Sequence, residues 1–295
     1  METEVPGGIS RLRTRLLWTT VMCATAVLLT SAVSAQAPAS GPSAAQAILT
    51  DLRRDSGQTI APVFEGWEPN PDGTISMYFG YMNRNWKEEL DIPIGPNNFF
   101  DPAPQDRAQP THFLPRRQKQ IFSVVVPKDF PPDKALVWTL SIRGKAERVP
   151  GSLKPEQQID VSRETASGNR RPTIDVGPDL TVGVGQALSL SVRVSDDGIP
   201  KPRQASKAGN EPPNIFAGPN VRWAKYRGPG RVTFGERAVP IVEGKATTTA
   251  SFSEPGAYLV QALADDGSIL GQSQGQNVPG FSCCWTTGNV RVTVK

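Results

Sequence analysis

"SEPGAYLVQALADDG", residues 253–267, decides how the second half of this chain is read. Its Pro-Gly pair is turn chemistry, because Pro presets φ and Gly accepts backbone angles that other residues resist. The apolar run Ala257–Ala264 that follows is of strand length, and Asp-Asp-Gly closes it with a second turn signal. "SLSVRVSDDG", residues 189–198, ends in the same way after an alternating run. Either these aspartates only turn the chain, or they meet in space and hold a metal.

Outward from these two runs, "VRWAKYR", "RVTF", "TTTASF" and "NVRVTVK" are further short strands separated by Gly, Pro, Asp and Asn turns. Such spacing predicts a β-sandwich. Two connections are long: residues 199–220, and the stretch from Ser268 to about Trp285 that carries Cys283 and Cys284. Over residues 172–295 the order of motifs resembles a PKD-type domain, an immunoglobulin-like family of extracellular modules. The motifs are Trp223, Gly228-Pro229-Gly230 and Pro255-Gly256-Ala257-Tyr258. The long loop after Asp197 and the Cys-Cys-Trp insertion depart from that family. The resemblance implies a non-catalytic sandwich that spaces, adheres or recognises. Trp223 is expected between the sheets, Tyr258 with its hydroxyl on backbone, and Gly228 and Gly230 in a tight turn around Pro229.

The first half is also β. "TISMYFGYM" alternates, with Ile75, Met77, Phe79 and Tyr81 on one face, and "ALVWTLSI" sets Leu136, Trp138, Leu140 and Ile142 together. Between them, "IPIGPNNFFDPAPQDRAQPTHFLPRRQ" reads as long irregular connections. Residues 60–160 are therefore assigned to one antiparallel β-domain, 161–171 to a polar linker and 172–295 to the PKD-like sandwich. Upstream, Arg11, Arg13 and Arg15 precede the apolar run "LLWTTVMCATAVLL", and "VSA" offers small residues before Ala35/Gln36. That order predicts a signal peptide over 1–35, followed by a tether, 36–59, with a short helix around Ile48, Leu49 and Leu52. The apolar run is shorter than the ~20 residues of a spanning helix, which argues against an uncleaved anchor, and no membrane span is expected after cleavage. The predicted class is thus all-β: two β-sandwich-like domains, the second PKD/immunoglobulin-like, behind a signal peptide. The expected location is the periplasm, the cell surface or the medium of a bacterium.

Composition narrows function. With 32 Lys and Arg against 28 Asp and Glu, the net charge of +4 lacks the basic excess of a nucleic-acid binder. After export only the adjacent Cys283 and Cys284 remain, and they cannot staple distant segments. They form a strained ring with each other, pair with another chain, or stay thiols. Zinc is not expected, since there is no second cysteine pair and His112 is the sole histidine.

No catalytic residue is assigned. "GQSQG", 271–275, fits a nucleophile pattern at Ser273, but no histidine follows to take its proton. The chain is therefore read as a non-enzyme that binds, adheres or builds at the bacterial envelope, with an envelope protein or polysaccharide as partner. Two alternatives stand beside it. An accessory carbohydrate-binding protein would use exposed aromatics such as Trp67, Trp86 or Trp285. A hydrolase would place converging acids around His112 in a cleft of the first domain.

The acidic pairs give the one candidate cofactor. In a sandwich of this type the ends of the second and sixth strands share a pole. Asp196, Asp197, Asp265 and Asp266 would meet there, and a hard cation relieves such repulsion. Calcium at these four residues is one reading, and ordinary Asp-Gly turn chemistry is the other.

Overall fold

Short alternating runs bounded by turn residues fold as sheets, since one face of each can be buried only against another sheet. The computed structural model of the chain describes residues 53–159, 168–199, 219–266 and 284–295. The signal peptide, the helix predicted near Leu49, most of the linker and of loop 199–220, Ser273 and Cys283 lie outside the described residues. Among those described the fold is all-β, with no helix long and apolar enough to cross a membrane.

The first half holds β1 (Ile60–Pro69), β2 (Ile75–Asn83), β3 (Leu90–Asp91), β4 (Asn98–Asp101), β5 (His112–Phe113), β6 (Arg116–Val126), β7 (Leu136–Ile142) and β8 (Lys145–Gly151). Strands β1-β2-β6 form one antiparallel sheet and β4-β7-β8 another, while β3 and β5 pair apart. Met77, Phe79 and Tyr81 are buried on the face that the alternation predicts, opposite Leu136, Trp138 and Leu140. Phe79, Phe100, Phe122 and Trp138 interlock between the sheets, and Trp138 stacks on Phe100 at 5.9 Å between centroids. Its indole N–H is satisfied by Asn98 Oδ1 at 3.0 Å, the common arrangement for a buried indole. One expectation is corrected: the Pro-rich stretch read as irregular contains β4, β5 and the start of β6. Strands of two to four residues are too short for alternation to register.

The second half holds β9 (Thr173–Asp175), β10 (Leu180–Val182), β11 (Leu188–Ser195), β12 (Asn220–Arg227), β13 (Val232–Phe234), β14 (Ala238–Pro240), β15 (Lys245–Phe252), β16 (Gly256–Asp265) and β17 (Trp285–Val294). They form two sheets, β10-β17-β16-β12-β14 and β13-β15-β11-β9, with β10 pairing parallel to β17. Trp223, Val260, Ala262 and Ala264 face Leu190, Val192 and Val194 across the core. Strand β17 starts at Trp285, earlier than "NVRVTVK" suggests, because it pairs with β16 along the whole run from Gly256↔Val294 to Asp265↔Trp285. The polar "WTTG" has no alternation of its own and takes its conformation from that ladder.

The two hydrophobic cores meet. Tyr226 belongs to β12, yet its ring is only 3 % exposed because it packs into the first core, with Leu259 of β16 against the same cluster. Its hydroxyl donates to Ala108 O, and Thr111 N donates to Tyr226 O at 3.0 Å. Arg227 donates to both carboxylate oxygens of Asp106, at 3.0 and 2.7 Å, and to Gln109 O. Farther along, Gln261 Nε2 donates to Ile121 O at 3.0 Å. The loop between β4 and β5 is therefore a docking surface for the second sandwich, and Leu49–Lys295 is one compact unit.

Candidate functional site

The end of the linker is bound on both sides. Arg171 donates to Glu68 Oε2 and to the Tyr78 hydroxyl, each at 2.9 Å, which ties it to β1 and β2. Burial pushes the Tyr78 phenol up to about 12, so it stays protonated and donates to Glu68. One residue earlier, Arg170 N donates to Asp197 Oδ2 at 2.7 Å, and Asn169 Nδ2 donates to Asp266 Oδ2 at 3.0 Å. Adjacent Cα atoms lie only ~3.8 Å apart, so the dipeptide Asn169-Arg170 holds one aspartate of each acidic pair, Asp266 and Asp197, on neighbouring residues.

The four predicted aspartates do different things at this pole. Both oxygens of Asp197 are engaged, since its Oδ1 also accepts from Ile199 N at 2.9 Å. Asp265 is buried with the Arg222 guanidinium 3.9 Å away. Asp196 accepts from Gly198 N through Oδ2 at 2.9 Å, the ordinary Asx turn, but its Oδ1 is buried with no hydrogen-bond partner. Burial, and then the charges of Asp197 and Asp266, push its carboxyl above the usual range. Asn169 Oδ1 is likewise buried without a partner. Sequence reasoning did not single out Asn169, because an Asn in a polar linker carries no signal of burial.

The second cluster lies where the two halves face each other. The β3–β5 register sets Asp91 directly opposite His112. His112, only 8 % exposed, has Nδ1 3.0 Å from Asp91 Oδ1 and Nε2 3.2 Å from Glu89 Oε2. Lys225 Nζ donates to Asp91 at 2.9 Å, and Arg237 donates to Glu89 at 3.2 Å. These residues and Arg231 line a cleft of about 420 Å³. Burial works against the imidazolium, but hydrogen bonds to Asp91 and Glu89 outweigh it and hold the His112 pKa above 6.5. The His112 contact, then Arg237, lowers Glu89. For Asp91, burial opposes ionisation, yet His112 and Lys225 together hold its pKa below 3.8. A protonated imidazole with a carboxylate on each nitrogen has no lone pair left to abstract a proton.

These shifts predict a pH dependence. A raised histidine pKa adds stability that is fully present below the unfolded value and lost as pH rises through the folded one. The lowered Glu89 and Asp91 add stability that is present above their unfolded values and lost as pH falls through their folded ones. The contribution of this cluster should therefore peak between about pH 5 and 6.5. His112→Gln should cost about 1–3 kcal/mol at pH 6 and flatten the decline as pH rises above about 6.5. Thermal unfolding across that range checks it; equal slopes in both proteins would contradict the ion-pair arrangement.

The other predicted residues do not gather. Trp67 is half-buried and donates Nε1 to Lys154 O at 3.0 Å, Trp285 sits on β17, and Trp86 lies between β2 and β3. Trp86 is 42 % exposed, but the guanidinium carbons of Arg53 and Arg116 cover its ring at 4.4 and 4.3 Å. Cys284 is buried and disulfide-bonded.

No protein-family model matches this chain, and neither does any curated protein. Among solved structures it is similar to domains 4 and 5 of the S-layer protein SbsC, at 14% identity over 55% of this chain, with a TM-score of 0.24. The match spans 65% of that S-layer chain. A conjugative transposon lipoprotein from Bacteroides eggerthii matches at 13% identity over 40% of this chain and 95% of its own, with a TM-score of 0.23. Tandem immunoglobulin domains of titin match at 11% identity over 81% and 99%, with a TM-score of 0.20. Likenesses this distant support no inference for this chain.

Proposed function

We propose that this chain is an exported, non-catalytic protein of the bacterial envelope, in which two β-domains act as one rigid binding or structural body and residues 172–295 serve as a PKD-type module. The observation that carries this reading is the junction. Tyr226 is buried in the neighbouring core, Arg227 grips the β4–β5 loop, and Arg171 ties the linker to β1 and β2. A body that spaces or presents a surface needs such a set orientation. The basic, apolar and small-residue order of residues 1–35 supports export.

Cross-linking of the mature protein in its own envelope, followed by identification of what is attached, tests the reading. A defined envelope protein or polysaccharide is expected, with the N-terminus at Gln36. Protein recovered in the cytoplasm with residues 1–35 intact would sink it. A hydrolase remains the competing reading because Glu89 and Asp91 converge on His112 beside a cleft. Hydrolysis of glycosides or esters that disappears in a folded His112→Gln variant would favour it.

A further inference from the structure

We propose that Asn169, Asp196 and Asp266 hold a hard divalent cation, calcium in preference to magnesium, which fastens the end of the linker to the second sandwich. Two oxygens carry the argument. Asn169 is 5 % exposed with Oδ1 unpartnered, and Asp196 Oδ1 is buried and equally unpartnered. Buried acceptors without a donor are uncommon in native proteins, and an ordered water or an ion is the usual reason for one. Here they belong to a pole where Asn169 already touches Asp266 at 3.0 Å and its neighbour Arg170 touches Asp197 at 2.7 Å.

Chemistry selects the ion. Every available ligand atom is oxygen, which suits a hard cation and not zinc or copper. No three His, Cys, Asp or Glu side chains converge as a metal cage among the described residues, so an amide is needed to complete the set. The Asn169 amide supplies it. Its Oδ1 is the acceptor without a donor, while Nδ2 holds the Asp266 carboxylate beside it. Three side-chain ligands leave several positions to water and backbone. Calcium tolerates that irregular arrangement, whereas magnesium demands a near-ideal octahedron. Asp197 and Asp265 take no part as ligands: the first holds Arg170 N and Ile199 N, and the second faces Arg222.

The test uses the full mature chain and calcium itself. Extracellular modules bind calcium at ~10⁻⁴ to 10⁻³ M. Ten millimolar calcium, roughly ten to a hundred times such a Kd, should then raise Tm by about 3–10 °C over chelator, and magnesium should do less. Asp196→Asn should lose the calcium shift while staying folded in chelator. Asn169→Asp, which adds a carboxylate, should lower Tm in chelator and enlarge the calcium shift. Calorimetric titration of the wild type should find one site. Equal melting in calcium and chelator would overturn the proposal, and so would a shift that survives in Asp196→Asn and is unchanged in Asn169→Asp. Should either variant fail to fold, a wild-type titration without heat or saturation would overturn it alone.

Discussion

Tyr226→Ala should cost the folded unit about 3–5 kcal/mol, the range for truncating a fully buried aromatic, and should divide its unfolding into two transitions. The ring is buried in the aromatic core of the first half although the residue belongs to a strand of the second. Its loss opens a cavity at the junction and removes the hydroxyl bond to Ala108 O. Each half keeps its own core: Phe79, Phe100, Phe122 and Trp138 in one, Trp223, Tyr258 and Phe252 in the other. Cooperativity between them should suffer more than either fold. Tyr226→Phe removes only the hydrogen bond and should cost about 0.5–1.5 kcal/mol. Urea unfolding followed by tryptophan fluorescence and by amide exchange checks both. A single undivided transition shifted by less than ~1 kcal/mol in the alanine variant would mean that the junction does not couple the halves.

Gly228→Ala should be comparably damaging. Gly228 has φ +143°, and an added Cβ would lie 2.2 Å from Cδ1 of Tyr258. That ring cannot retreat. Its hydroxyl accepts from Gly230 N at 3.0 Å and donates to Glu254 O at 2.8 Å, so it is held at the far end by the turn it packs against. Backbone strain and overpacking together should cost about 3–5 kcal/mol, lowering Tm by roughly 6–20 °C. Gly95→Ala is the control: it shares φ +143°, but open space surrounds the new methyl, so backbone strain acts alone. Similar losses at both glycines would show that contact with Tyr258 contributes little.

Within single segments the sequence was legible. Alternation identified the buried faces of β2 and β7, since Met77, Phe79, Trp138 and Leu140 point where a period of two sends them. The Pro-Gly and Gly-Pro-Gly motifs placed Tyr258 with its hydroxyl on backbone. The weakest local signal at the junction was Tyr226, a large aromatic on the opposite face of its strand from Trp223. An outward aromatic on a strand is too common to imply a second core.

For the long alternating strands, identity, bounding turns and inward face were set by the sequence alone, because residues within a few positions of one another determine them; β4, β5 and the start of β17 took their strand conformation from their partners. Which charges pair, and which polar groups are buried, was decided only in three dimensions. Lys225 meets Asp91 across 134 residues, Arg227 meets Asp106 across 121, and Asn169 meets Asp266 across 97. A carboxylate in a turn reads the same whether it faces water, a guanidinium or a linker amide. Its partner is chosen by how two sandwiches dock, and that depends on shape complementarity summed over the whole interface, which no local pattern encodes.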